Sequence, residues 1–186
     1  MARVRNVGID EVPADARPVY ERYAEQYGPF ANQVAVFAHR PIALRHIMGM
    51  LLEMADNPIL SKRHLEIAIV TVSEVNRCAY CVAHHGPKLV DMGLARETVD
   101  RILEPDCPGL DEVDRLVRDY AEQVTRDHNR VRDTMFDALR QHFTEEQIVE
   151  LTLRITLCTF FNKFNDVMQL DMEEEALAFA AGKAAE

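Results

Sequence analysis

Ser61-Lys62-Arg63-His64-Leu65-Glu66-Ile67-Ala68-Ile69-Val70-Thr71-Val72-Ser73-Glu74-Val75-Asn76 is the stretch on which the fold class turns. Its centre, 67–72, is continuously apolar and rich in β-branched residues, so it is the one place where a strand can be argued. Length decides for a buried helix, because the pattern runs from a Ser61 N-cap to about Asn76. Asn76-Arg77 then reads as a break. Cys78 opens a new helix to about Met92, which Gly93 ends in the left-handed stop position.

Outward from this pair, apolar residues recur at three- and four-residue steps, Gly is scarce, Trp is absent and no hairpin signal occurs. The chain therefore reads as one all-α domain over 1–186. Helices are expected at 14–27, stopped by Gly28-Pro29, at 32–39, and at 41–55 before a turn at Asn57-Pro58. More follow at 96–103, 111–125, 133–142 and 145–168, then an acidic-to-apolar tail helix from Glu173, with the main loop at 104–109. One weak internal repeat lays Glu66 on Glu150, and Cys78 and Cys81 on Asn162 and Asn165. It suggests two related helical hairpins, of which only one keeps the thiols.

At 186 residues and 48% hydrophobic content, the chain can build a core without staples. A formal net charge of −10, from 31 acidic and 21 basic residues, argues against unspecific binding to nucleic acid or anionic membranes. No apolar run approaches the ~20 residues needed to span a bilayer, and Met-Ala-Arg-Val-Arg-Asn-Val-Gly at the N-terminus lacks a signal peptide's apolar segment. The expected compartment is the cytoplasm. Four cysteines in a chain this long make no secreted disulfide framework, and a close pair in a reducing compartment points to redox chemistry or a metal.

That pair is Cys78-Ala79-Tyr80-Cys81, with His85 four residues further on. On a helix the three side chains share one face. A cysteine in a first helical turn has its thiolate favoured by unpaired N–H groups and the helix dipole, and a Cys-x-x-Cys pair can cycle between dithiol and disulfide. Glu66 lies in the most apolar helix, where a carboxylate without a partner costs several kcal/mol. His85 is its candidate partner, giving a Glu66–His85–Cys81 relay in which the acid orients the imidazole and the imidazole activates the thiol. Zinc is the rival reading, with Cys78, Cys81 and His85 as ligands and Glu66 or His84 as a fourth. Val82 directly after Cys81 excludes c-type haem attachment, and the absence of βαβ units excludes a thioredoxin-like fold.

Other polar residues read as structural. Cys107 is expected as a loop thiol and Cys158 as a core filler. His84 points about 100 degrees from His85 on a helix and is expected exposed or at an interface. His39, His46 and His64 have no acidic or thiol partner at readable spacing, and Tyr80 reads as packing near the pair.

The pattern Glu66, eleven residues, Cys78-x-x-Cys81-x-x-x-His85, with Gly93-Leu94 after the helix, resembles the carboxymuconolactone decarboxylase superfamily, in its alkylhydroperoxidase D-like, peroxidase-related branch. Similarity extends through Gly28-Pro29-Phe30-Ala31-Asn32, His39-Arg40-Pro41, Phe143-Thr144-Glu145-Glu146 and Glu150-Leu151-Thr152. The resemblance implies an all-α AhpD-like fold assembled as a homo-oligomer (dimer, trimer or hexamer). It implies thiol-dependent peroxidase chemistry on a small hydroperoxide, with no bound cofactor and an external dithiol or protein reductant. Cys81 is then the attacking thiolate and Cys78 the resolving, more exposed thiol. Some members carry a His directly before the second cysteine, where this chain has Tyr80. Decarboxylases of the superfamily generally lack the cysteine pair, so lactone decarboxylation and a non-catalytic redox sensor are the alternatives.

Overall fold

A computed structural model describes residues 2–26 and 30–183, and among them every regular element is helical. After a 3-10 turn at Ile9–Glu11 come α1 (Arg17–Gln26) and α2 (Ala31–Phe37); the expected Gly28-Pro29 stop lies outside the described residues. The expected helix at 41–55 is present but not uniform. α3 (Pro41–Ala43) passes through a π-helical turn (Leu44–Met48) into α4 (Gly49–Asp56), with right-handed helical backbone at both junctions.

α5 (Lys62–Asn76) settles the question posed by its apolar centre: it is a helix, capped by Ser61, whose hydroxyl accepts the His64 N–H at 3.1 Å. Residues from Glu66 to Ser73 are all buried, because α5 is packed on three sides by α6 (Ala79–Asp91), α8 (Glu112–Asp127) and α10 (Glu145–Met168). Burying a Val or Ile side chain contributes on the order of 1.5–3 kcal/mol, which outweighs the weak strand preference of these residues. α5 ends with Arg77 in the left-handed region (φ 59°). The Cys78 N–H bonds the Ser73 carbonyl at 2.9 Å and the Arg77 N–H bonds that of Glu74 at 3.1 Å, a Schellman stop that turns the chain directly into α6. α6 stops the same way at Gly93 (φ 89°).

α7 (Arg96–Asp100) and α9 (Asp133–Leu139) are shorter than the expected 96–103 and 133–142. In both, the chain beyond the helix continues through i→i+3 bonds, such as Glu104 N–H to Arg101 and His142 N–H to Leu139. α10 runs unbroken for 24 residues from its Thr144–Gln147 capping box, and α11 (Glu174–Lys183) closes the chain. The hairpin expectation from the weak repeat is therefore corrected. Phe161, which the repeat aligns with the Arg77 break, lies in mid-helix, where α10 needs no stop.

Buried apolar residues form two clusters. One joins α5 with α7, α8, α9 and the first half of α10; the other joins the N-terminal segment, α1, α2 and α4 with Cys78, Tyr80 and Cys81. α10 serves both, through Leu151 and Ile155 on one side and Leu157, Phe161 and Phe164 on the other. The start of α6 therefore sits at the seam between them.

Candidate active site at the start of helix α6

Cys78 is the N-cap of α6, its Sγ accepting the Cys81 N–H at 3.3 Å. The Schellman stop of α5 thus fixes where the thiol pair stands, one turn apart at a helix N-terminus, and the two sulfurs are joined as a disulfide with the Cα atoms 5.4 Å apart. Cys78 is fully buried and Cys81 is 5% exposed, which corrects the expectation that Cys78 is the more exposed thiol. Cys78 belongs to the buried apolar cluster of the N-terminal half, and Phe179 and Ala180 of α11, with Arg96, line a groove beside it.

One turn beyond Cys81, His85 is buried, and its Nδ1 lies 2.6 Å from Oε2 of Glu66, itself only 8% exposed. Lys88 Nζ lies 3.7 Å from the other carboxylate oxygen. Burial pushes the Glu66 pKa upward, but the charge and hydrogen bond of His85, with Lys88 and Arg154, outweigh it and hold the carboxyl below its ordinary range. Burial also pushes the His85 pKa down, more than the Glu66 carboxylate raises it. At neutral pH both directions give a neutral imidazole donating its Nδ1–H to an ionised Glu66, with Nε2 left as a proton acceptor; the charge of His85 bears on Glu66 only once the ring is protonated.

Cys81 and His85 line the same small cavity, about 40 Å³, walled by Phe30, Leu51, Leu157 and Phe161. It holds only a few water-sized groups, so the sulfur meets a reactant's head rather than its body. Asn165 and Gln33 supply polar wall. The Asn165 Nδ2 amide donates to Cys81 Sγ at 3.4 Å, Gln33 Nε2 donates to Asn165 Oδ1 at 3.0 Å, and the Tyr23 hydroxyl donates to Gln33 Oε1 at 3.0 Å. Cys158 also lines the cavity, but burial pushes its thiol up to about 11 and keeps it protonated at neutral pH. Cys107 is buried and held by the Thr98 carbonyl.

His84 overturns its expectation. It is 3% exposed, with Nδ1 2.6 Å from the Tyr80 carbonyl and Nε2 2.7 Å from Glu173 Oε2, and Phe30 stacks on it. The Tyr80 hydroxyl donates to the other oxygen of Glu173 at 3.2 Å. The partner comes from the far end of the chain, so no spacing near His84 announces it. His64 likewise has an acid near it, Asp114 Oδ1 at 3.7 Å, brought from α8.

Sequence reasoning thus named Glu66, Cys78, Cys81 and His85, and the structure brings them to one place. It missed Asn165, Gln33 and Glu173, which are remote in sequence. The single hint was the weak repeat, which set Asn165 opposite Cys81. Among the described residues, no group of three or more His, Cys, Asp or Glu side chains is disposed to hold a metal ion.

Comparison with known proteins matches residues 41–117, which contain all four named residues, to the carboxymuconolactone decarboxylase family. YdfG, an uncharacterised protein of Bacillus subtilis, is 29% identical over 143 residues, covering 74% of this chain and 95% of YdfG. The alkylhydroperoxidase AhpD core of an uncharacterised peroxidase-related protein from Ralstonia eutropha superposes with a TM-score of 0.80 at 22% identity, covering 96% of each chain. The debrominase Bmp8 in complex with 2,3,4-tribromopyrrole superposes with a TM-score of 0.80 at 17% identity, covering 98% of this chain and 100% of that one. At such identities the structural likenesses speak for the fold, and the matched segment speaks for the family. Residues 41–117, with Glu66, Cys78, Cys81 and His85 inside them, are thus similar to the carboxymuconolactone decarboxylase family, and the fold around them is AhpD-like.

Proposed function

We propose that the chain is a thiol-dependent peroxidase of the alkylhydroperoxidase type, acting on a small organic hydroperoxide and recharged by an external dithiol or protein reductant. The observation that carries this reading is the Glu66–His85 hydrogen bond, with His85 and Cys81 lining one cavity. The acceptor nitrogen of His85 takes the Cys81 proton. The thiolate attacks the outer peroxide oxygen, an S–O bond forms as the O–O bond breaks, and the alkoxide leaves as an alcohol with the proton from His85. The sulfur has lost two electrons to the peroxide. Cys78 attacks the resulting sulfenic acid, an S–S bond forms as the S–O bond breaks, and hydroxide leaves as water with the Cys78 proton. An incoming dithiol then returns two electrons to the disulfide. A reducing compartment, the cytoplasm, supplies that donor.

Self-association belongs to the same proposal, and what supports it is the exposed apolar row Val149, Leu153, Phe160 and Val167 along α10. Light scattering of the purified chain reads the subunit number.

The decisive experiment follows the mass of the reduced protein on addition of an alkyl hydroperoxide. The wild type is expected to lose two hydrogens at Cys78 and Cys81 together, and to turn over with dithiol present. Cys81→Ser is expected to lose turnover entirely, and full activity in that variant sinks the proposal. Because the family model is that of a decarboxylase, the Cys78→Ser/Cys81→Ser double variant separates the second reading: activity on a lactone acid that survives it belongs to decarboxylation.

A further inference from the structure

Within the same cavity Cys81 has a second polar neighbour, and it belongs to a chain of buried polar side chains. Tyr23, Gln33 and Asn165 are 2%, 3% and 1% exposed, and come from α1, α2 and α10. Buried amides of this kind carry a cost unless paired, and each here is paired to the next. The direction of the chain matters more than its existence. An Asn side chain can present either its oxygen or its nitrogen, and the two ends have opposite effects on a thiol. A carbonyl oxygen facing sulfur accepts an S–H and favours the thiol; an N–H facing sulfur favours the thiolate.

The state of the sulfur fixes the nitrogen toward Cys81, and the rest of the chain is paired to match. The sulfur of a disulfide carries no proton, so only Asn165 can be the donor in this state. The other end of the same amide is occupied by Gln33 Nε2, whose own oxygen accepts from the Tyr23 hydroxyl, so all three donors run toward the sulfur. We infer that Asn165 is a catalytic residue, the hydrogen-bond donor that stabilises the Cys81 thiolate, with Gln33 as the positioning residue that holds its amide nitrogen toward the sulfur. This deepens the reading of Cys81 as the attacking thiolate and rests on it. The bond is weak while the sulfur is neutral and becomes charge-assisted when it is an anion, so it acts on the reacting state. An uncharged donor also adds no second charge beside the Glu66–His85 pair.

The test reads the thiol directly. In a Cys78→Ser background, the pH dependence of Cys81 alkylation, followed by peptide mass, gives its titration midpoint. Asn165→Leu is expected to raise that midpoint by about one pH unit, a tenfold loss of thiolate at neutral pH, and to slow disulfide formation with hydroperoxide tenfold in the Cys78-containing protein. An unchanged or lowered midpoint overturns the inference. If Asn165→Leu does not fold, Gln33→Met decides: a midpoint raised by a smaller amount supports it, and an unchanged or lowered one overturns it. The alkylation curve requires no hydroperoxide. A wild-type protein that never turns over hydroperoxide therefore sinks the peroxidase reading alone, while the Asn165 effect stands or falls on its own curve.

Discussion

Cys81 and Cys158 line the same cavity, but Cys81 is joined to Cys78 and Cys158 is free, and the surroundings of the two sulfurs differ. Cys158 lies in mid-helix α10, held by burial in the protonated state, whereas Cys81 stands in the first turn of α6 with Asn165 on it and His85 across the cavity. Reactivity follows the environment rather than the residue type. The Glu66–His85 bond allows a test with a definite sign. Glu66 raises the affinity of His85 for a proton against the burial that lowers it, so Glu66→Gln removes the raising influence and the His85 pKa falls further. The acid limb of the rate profile is expected to move to lower pH in Glu66→Gln, while the plateau drops by roughly 10- to 100-fold, part of what a positioned base supplies. Peroxide-driven disulfide formation measured from pH 4 to 8 reads both effects. A limb that stays put or moves upward removes Glu66 from the relay.

At the scale of elements, the site depends on how helices stop and how closely they approach. Arg77 and Gln169 end α5 and α10 in the left-handed region without being glycine, and both complete Schellman bonds, as Gly93 does for α6. Gly86 serves a different purpose. A Cβ there would stand 2.6 Å and 2.7 Å from Phe179 ring atoms and 3.1 Å from Val99, so the absent side chain is what lets α11 lie against α6. α11 is held further by Arg96, which stacks on the Phe179 ring at 3.9 Å and donates to the Phe179 carbonyl at 3.1 Å. Gly86→Ala gains about 1 kcal/mol of helix propensity in isolation, yet the displaced ring is expected to make the variant less stable on balance and α11 quicker to be cut by protease. Adding Phe179→Ala removes the clash, so the double variant is expected to be more stable than the two single losses added together. A Gly86→Ala protein more stable than the wild type refutes this account of the contact.

At the scale of the whole molecule, two apolar clusters meet across α5, α6 and α10, and buried polar groups make the fold sensitive to acid. His85 and His64 are both pushed below their ordinary 6.5, in each case first by burial, so the unfolded chain binds those protons before the folded one does. Their contribution is complete above pH 6.5 and is lost as pH falls from there toward the folded values. Glu66 and Glu173 sit below their ordinary 4.5, because hydrogen bonds and charge from His85 and His84 outweigh burial. Their contribution is present above pH 4.5 and is lost as pH drops through the folded values. Thermal unfolding is thus expected to show a plateau above pH 7, a first decline below 6.5 and a second below 4.5. A melting temperature that rises between pH 7 and 5 contradicts the assignment of neutral, buried histidines.

The sequence alone determined what depends on near neighbours. The periodicity of α5, the Ser61 cap, the break at Arg77, the Gly93 stop and the spacing of Cys78, Cys81 and His85 all follow from interactions within a few residues, and they led to an all-α fold with a thiol pair at a helix start. Even the Glu66–His85 contact was legible, because a buried acid requires a partner and the adjoining helix offered one. What only the tertiary structure decided is which distant groups converge. Asn165 on Cys81, Glu173 on His84, Asp114 near His64 and Phe179 beside Cys78 lie on other helices. Their pairing is set by how helix faces pack in three dimensions, which no local pattern encodes.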